Sequence, residues 1–472
     1  MNILLLDGHS PATLAILRSL SRGGHGVDLG IDSGSFFLCG FSRYAREKVV
    51  YPSPSKSIEE FLDFFVNLIN ENQYDYILPV TDRTIVPFHF HRSALRHLSS
   101  LILPSYDSLE CTLDKRRTLE LAGRLGIPQP TTISPISRAE LDAHFPGGEG
   151  RSKPEESSVD LRFPVVIKSC RSKIIEDGQL ISDSEPLFAN SKEELIAAWD
   201  KKNREIPRPL IQEYIPGDGY GIFVLMKDGE LLSLFAHHRL REEEPMGARS
   251  SYCESIAPPP MMKEYALKLL RELKWTGPAM VEFKLDRRDN IPKLMEINGR
   301  FWGSLPLAVA AGVDFPSLYF QMLEQNRESS QLVVQDFPER NPAVGGIPTG
   351  CGSPAASSRT NVVQDFPAKG PSKSGIPTRY GSRAPSESAW CDYKIGIKAR
   401  YLYADIQHLI NVFHVPPYDW ITDYPSRGKT LLKFLLSFIT TNKYFNLDFR
   451  DPLPGIMENY RFIQARIQRI FK

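Results

Sequence analysis

The chain has 472 residues, 42% of them hydrophobic, and its 57 basic and 56 acidic side chains leave a formal net charge of +1 at pH 7. That length allows two or three domains with an ample core, and the balanced charge excludes a chain-wide basic footprint for nucleic acid or an anionic membrane. The six cysteines (Cys39, Cys111, Cys170, Cys253, Cys351, Cys391) form no C-x-x-C pair and have no zinc-ligand spacing. They read as reduced thiols of a cytoplasmic protein, with no secretory leader and no stretch of transmembrane length.

The opening run Asn2 to Asp7 is apolar, Gly8-His9-Ser10-Pro11 turns it, and Leu14, Leu17 and Leu20 then repeat at helical spacing. A strand near Val27 to Ile31, a helix near Ile58 to Asn70 and a strand at Tyr76 to Val80 follow. Such alternation predicts a parallel sheet flanked by helices over residues 1–105. The next helix spans Asp114 to Gly126, and a mixed α+β region continues to about residue 328. Its strands are expected at Val165 to Lys168, Leu210 to Tyr214, Gly221 to Met226, Leu231 to His237, Ala279 to Leu285 and Lys293 to Asn298. Helices are expected at Lys192 to Lys201 and Met261 to Leu273.

Residues 329–389 shift to Pro, Gly and Ser and contain a tandem duplication. Val333 to Pro338 returns as Val362 to Pro367, and Gly346 to Thr349 returns as Gly375 to Thr378, both at an offset of 29 positions. Two copies make no solenoid, and so few apolar residues do not offset the entropy of ordering, so a disordered insertion is expected. Residues 390–472 are expected to be mostly helical. In that segment Lys429 to Ile439 carries apolar side chains nearly all round and is expected to dock on the body. A monotopic membrane contact or an oligomer interface is the minority reading, because the polar face lacks a basic cluster.

The chemistry concentrates in one hairpin. Ala279 to Asp286 alternates as a strand, Arg287 to Asn290 supplies a turn, and Lys293 to Arg300 returns. A period of two places Glu296, Asn298 and Arg300 on one face. Glu282, Glu296 and Asn298 form a hard oxygen set suited to magnesium, and Arg300 suits a phosphate or carboxylate. A solvated strand edge with a salt bridge would carry the same residues.

The run Glu-x-Asn-x-Arg, after an acidic strand and before Gly312-Val313-Asp314, resembles the catalytic signature of the ATP-grasp superfamily, and the resemblance covers most of residues 1–325. It implies an α/β and α+β architecture: a Rossmann-like pre-grasp domain, a grasp domain of two α+β lobes, and the C-terminal helical extension. By the same resemblance Lys115 and Lys168 hold nucleotide phosphates, and the Glu213, Tyr214 and Ile215 backbone pairs with adenine. Asp218 accepts from the ribose, and Arg239 and Arg249 reach the phosphate and acyl group. The loop Ser169 to Lys173 departs from the glycine-rich lid of many members, with Arg171 and Lys173 as substitutes by charge.

The resemblance implies an ADP-forming carboxylate–amine ligase using ATP and Mg2+, or Mn2+, on small-molecule substrates, without nucleic acid and with room for a homodimer. Carboxy-phosphate or carbamoyl-phosphate chemistry on bicarbonate ranks second. A non-catalytic nucleotide-binding scaffold ranks third, because two adjacent buried carboxylates are costly without a function.

Overall fold

The computed structural model describes residues 1–71, 74–95, 100–144, 161–247, 249–329, 392–414 and 424–470. The duplicated segment, expected to be disordered, lies outside the described residues apart from Ser329.

The first sheet holds β1 (Asn2–Leu5), β2 (Gly26–Asp32), β3 (Lys48–Tyr51) and β4 (Tyr76–Leu78), all parallel, in the order β3-β2-β1-β4. Helices cover both faces, which explains the unbroken apolar run of β1. Ile3 and Leu5 pack towards Leu14 and Leu17, whereas Leu4 and Leu6 pack towards Phe61 and Phe65. The Pro11–Arg22 helix starts cleanly because Pro11 needs no amide partner and Ser10 Oγ accepts from Ala12 N at 3.2 Å. Strand order reverses beside β1, so the carboxyl ends of β1 and β4 open a crevice at Asp7 and Thr81-Asp82.

Residues 132–213 carry β5 (Thr132–Ile133), β6 (Val165–Lys168), β7 (Lys173–Glu176), β8 (Gln179–Ser182), β9 (Leu187–Ala189) and β10 (Leu210–Glu213). Four of these form an antiparallel sheet ordered β5-β10-β6-β9, and Leu141, Leu195 and Trp199 of two helices seal its back. The remaining pair is a hairpin. β7 and β8 pack on the first domain, where Ile58 N donates to Gly178 O at 2.8 Å and Leu180 N to Pro54 O at 3.0 Å. The segment expected to close over phosphates is thus tied to the first domain.

The largest sheet has seven strands: β11 (Gly217–Lys227), β12 (Glu230–Glu242), β13 (Ser250–Ser255), β14 (Gly277–Asp286), β15 (Pro292–Asn298), β16 (Lys398–Arg400) and β17 (Lys443–Tyr444). They run in the order β15-β14-β11-β12-β13-β16-β17. One face packs on the Pro260–Glu272 helix through Ile222, Val224 and Val281. The other, through Phe223 and Phe235, joins Phe301, Trp302 and the core of the first domain.

The C-terminal segment contributes β16 and β17 as well as helices, extending the sheet rather than only covering it. A buried ion cluster fixes it. Arg241 holds Asp405 through Nε at 2.5 Å and Nη2 at 2.7 Å, and Arg400 Nη1 donates to Ser437 Oγ at 2.5 Å. The apolar Arg427–Thr440 helix is not docked as its composition suggests. Only Thr430, Phe434 and Ser437 are buried, and the remaining apolar side chains face outwards. Among the described residues, Cys39, Cys111, Cys170 and Cys253 are free thiols, and no helix is long and apolar enough to cross a membrane.

Candidate active site

The β14–β15 hairpin forms as its alternation predicts, and the register sets Glu282 directly opposite Glu296. Side chains paired across antiparallel strands project to the same face, so the two carboxylates are neighbours. Burial pushes the Glu282 carboxyl up, and the charge of Glu296 adds to that rise against the opposing pull of Arg239. Glu296 itself is also opposed by burial. Lys115, the Asn298 hydrogen bond and Lys168 outweigh that and hold it below the ordinary range.

Asn298 Nδ2 donates to Glu296 Oε1 at 2.9 Å, which aims the amide oxygen away from that contact. Lys115 Nζ lies 3.7 Å from Glu296 Oε2. The lysine begins the Lys115–Arg124 helix, whose first turn is fixed by Asp114 Oδ1 accepting from Arg116 N at 3.0 Å. Lys168 ends β6 on the opposite lobe. Burial first and Lys115 second push its pKa down to about 8, while Glu296 and Glu282 pull the other way. The structure therefore brings Glu282, Glu296, Asn298, Lys115 and Lys168 to one place.

This donor set fits magnesium. Two carboxylates and an amide oxygen are hard ligands, and a nucleotide's phosphates would complete the octahedron. Among the described residues no group of three or more Asp, Glu, His or Cys is placed to hold a metal ion.

Other residues stand differently from a phosphate-facing role. Arg239 forks onto Glu282, with Nη1–Oε1 at 2.7 Å and a second bond from Nη2 to Oε2, and Nη1 also donates to Glu242 Oε1 at 2.9 Å. Its geometry orients a carboxylate. Arg249 is largely exposed and pairs with Glu243 Oε2 at 2.7 Å, so it is not brought to the hairpin. Arg300 Nε donates to Asp82 Oδ1 at 2.7 Å and Nη2 to Asp82 Oδ2 at 3.2 Å, joining the hairpin to the crevice at the end of β4. Burial opposes the Asp82 charge, yet Arg300 and the Ser172 hydroxyl at 2.8 Å keep its pKa low. A cavity of about 110 Å³ opens here, lined by Asp82, Lys115, Ser172, Glu296, Asn298 and Arg300 among others.

At the end of β10, Glu213 N donates to Thr131 O at 2.8 Å and Tyr214 N to Pro164 O at 3.0 Å. The Glu213 side chain takes Arg288 Nη1 at 2.6 Å. Lys284 Nζ sits 5.2 Å from the Tyr214 ring centroid and 3.4 Å from Ile215 O. Asp218 faces outwards onto Arg287 Nη2 at 2.5 Å, with His238 Nε2 at 3.6 Å, and its carboxyl is held down at about 2 by His238 and Arg287. Arg171 does not substitute for lid glycines, because Glu110 and Asp114 claim its guanidinium, the latter at 3.2 Å. Lys173 Nζ donates to Ser182 Oγ at 2.6 Å within the β7–β8 hairpin.

Sequence reasoning missed Lys284 and the Arg239 fork. The alternation of β14 places Lys284 on the Glu282 face, so the first was findable; the second joins residues 43 positions apart and had no local signal.

Residues 205–341 match the model of a family described as ATP-grasp in the biosynthetic pathway with Ter operon. No curated protein sequence matches the chain. Among solved structures, an L-amino acid ligase from Bacillus licheniformis superposes with a TM-score of 0.51 at 17% identity, covering 68% of this chain and 73% of that one. A biotin carboxylase from Campylobacter jejuni, solved as a β,γ-ATP complex, gives 0.53 at 15% identity over 68% and 70%. The biotin carboxylase domain of Hydrogenobacter thermophilus 2-oxoglutarate carboxylase, solved with MgADP and bicarbonate, gives 0.52 at 15% over 68% and 69%. The segment that matches the ATP-grasp family model contains the whole carboxylate hairpin, and the fold shared with these structures extends over two thirds of the chain.

Proposed function

We propose that the protein is an ATP- and Mg2+-dependent ligase that activates a carboxylate as an acyl phosphate for attack by an amine and releases ADP. The observation that carries this reading is the facing pair Glu282 and Glu296, with Asn298 beside it and Lys115 and Lys168 closing on it from two other elements. These five residues include no serine, threonine or cysteine. The cluster suits a reaction in which positioning and charge neutralisation supply the rate.

The Glu213 to Ile215 backbone receives adenine through groups other than the Glu213 and Tyr214 amides, which Thr131 O and Pro164 O already engage, and Lys168 and Lys115 hold the phosphates. Glu282, Glu296 and Asn298 would hold Mg2+, or Mn2+, which would supply charge neutralisation at the phosphates. A substrate carboxylate oxygen bonds to the γ-phosphorus as the bond to ADP breaks. The amine nitrogen then bonds to the acyl carbon as phosphate leaves, and the amine proton passes to phosphate or water. Arg300, at the cavity wall, steadies the carboxylate end of the acceptor. Arg239 keeps Glu282 oriented throughout.

The test is ADP release with Mg2+ across a panel of carboxylates and amines, each alone and in pairs, with bicarbonate as a separate arm. A pair-dependent release, accompanied by a product whose mass equals acid plus amine minus water, is the expected result. Release with bicarbonate alone would move the reading to carboxy-phosphate chemistry, and silence in every arm would reject it.

A further inference from the structure

The two C-terminal helices carry their apolar side chains on the wrong side for a globular protein. In Arg427–Thr440 the buried positions are Thr430, Phe434 and Ser437, whereas Leu432, Leu435, Leu436 and Ile439 are exposed, Ile439 to 84%. At about 100° per residue these four fall on the arc diametrically opposite the buried strip. The same inversion holds in Leu453–Ile470. Leu453, Ile456, Tyr460, Ile463 and Ile467 are all exposed, and they fall within about 80° of one another. Pro454 and Gly455, on the other side of that helix, are buried. Between the helices Phe449 is fully exposed, followed by exposed Arg450. Apolar surface of this extent on a folded protein marks an interaction site.

Charge decides what kind. Arg427, Lys429, Lys433, Lys443, Arg450 and Arg461 are exposed, while no acidic side chain is exposed among the described residues 424–470. The three acids of that segment are engaged elsewhere. Asp448 pairs with Arg22, Asp451 takes Arg18 at 2.9 Å, and Glu458 takes Asn446 Nδ2. On the Arg427–Thr440 helix, Lys429 and Lys433 border one edge of the apolar arc and Arg427 the other. The polar flank therefore carries the basic residues that the sequence pattern hid, because they are interleaved with leucines rather than clustered.

We propose that the outward faces of these two helices dock the protein on an anionic lipid bilayer. A protein partner would ordinarily meet a rim of mixed charge, whereas an apolar face whose exposed charges within the described residues 424–470 are all Lys and Arg matches the interfacial seating of an amphipathic helix among anionic headgroups. The helices lie in the interface without crossing it. The near-zero net charge of the whole chain is no obstacle, since attraction falls off within a Debye length of the bound face.

The experiment is co-sedimentation of the full chain with vesicles of phosphatidylcholine alone or mixed with phosphatidylglycerol. Binding to the mixed vesicles only, weakened by salt, is expected. Lys429→Glu with Lys433→Glu should weaken it about tenfold or more. Leu435→Glu with Ile439→Glu, and separately Ile463→Glu with Ile467→Glu, should each reduce it further. All six positions are exposed, so melting temperatures should stay unchanged and separate lost binding from lost folding. Equal binding to both vesicle types, or none to either, overturns the proposal. So does a concentration-dependent dimer that the leucine and isoleucine variants dissolve, which would assign the face to a second copy of this chain.

Discussion

Lys168 shows how a lysine proposed to hold phosphate is costly to the empty protein. Burial and Lys115 bring its pKa down to about 8 from an ordinary 10.5. Between those values the unfolded chain binds the extra proton, so stability rises with pH across that window and the full penalty is present below about 8. Lys168→Met should therefore stabilise the ligand-free protein at pH 7 by about 2 kcal/mol after solvent screening, with the advantage fading towards pH 10.5. Thermal melts at a series of pH values check this. The same lysine must carry its proton to hold a phosphate, so kcat/KM for ATP should fall as pH rises through about 8, and Lys168→Met should abolish that limb along with most nucleotide affinity. For Glu296→Gln, ADP release should drop about 100-fold or more and the Mg2+ requirement should rise, as metal titrations of the rate would show. The Glu282 carboxyl should titrate lower in that variant, because Glu296 is one cause of its upward displacement.

At the level of elements, the junction between β10 and β11 is built on a close approach. A Cβ at Gly217 would stand 1.9 Å from Leu285 O, so β11 reaches β14 only because residue 217 is glycine. Gly217→Ala should cost about 1–3 kcal/mol and loosen the Glu213 to Ile215 segment, read as a lower urea midpoint and weaker ATP binding. The β14–β15 hairpin was legible in sequence because alternation of period two and a polar turn are local signals. Lys115 and Lys168 were legible only through the family resemblance, because either lysine alone reads as a solvated surface residue. What escaped were contacts made at long range. Arg300 meets Asp82 across 218 positions, and nothing near either residue announces the other. The Ser169 to Lys173 loop read as a lid, yet Glu110 and Asp114 draw Arg171 down, and the hairpin that follows settles on the first domain. In Arg427–Thr440 the apolar character was plain but its direction was not, since periodicity names a face without saying what covers it.

The molecule as a whole is closed by its last helices. Arg18, buried in the first helix, donates Nε to Asp451 Oδ2 at 2.9 Å and Nη2 to Asp451 O at 2.7 Å and Asn446 O at 3.1 Å. Asp451 also receives Ser42 Oγ at 2.7 Å and Arg43 N at 3.0 Å. Asp451→Ala leaves a buried guanidinium without its carboxylate, and a loss of about 3–5 kcal/mol is expected, measured by equilibrium unfolding, together with faster proteolysis near residues 446–451.

That contact also sets a clock. Arg18 and Asp451 are 433 positions apart, so at about 5–20 residues per second the ribosome delivers the carboxylate roughly 20–90 s after the arginine. Through that interval the first domain carries an uncompensated charge where its own core should close. Its final packing therefore waits until Asp451 has been made, and a nascent chain arrested before Asp451 should remain a client for chaperones however complete its first sheet is.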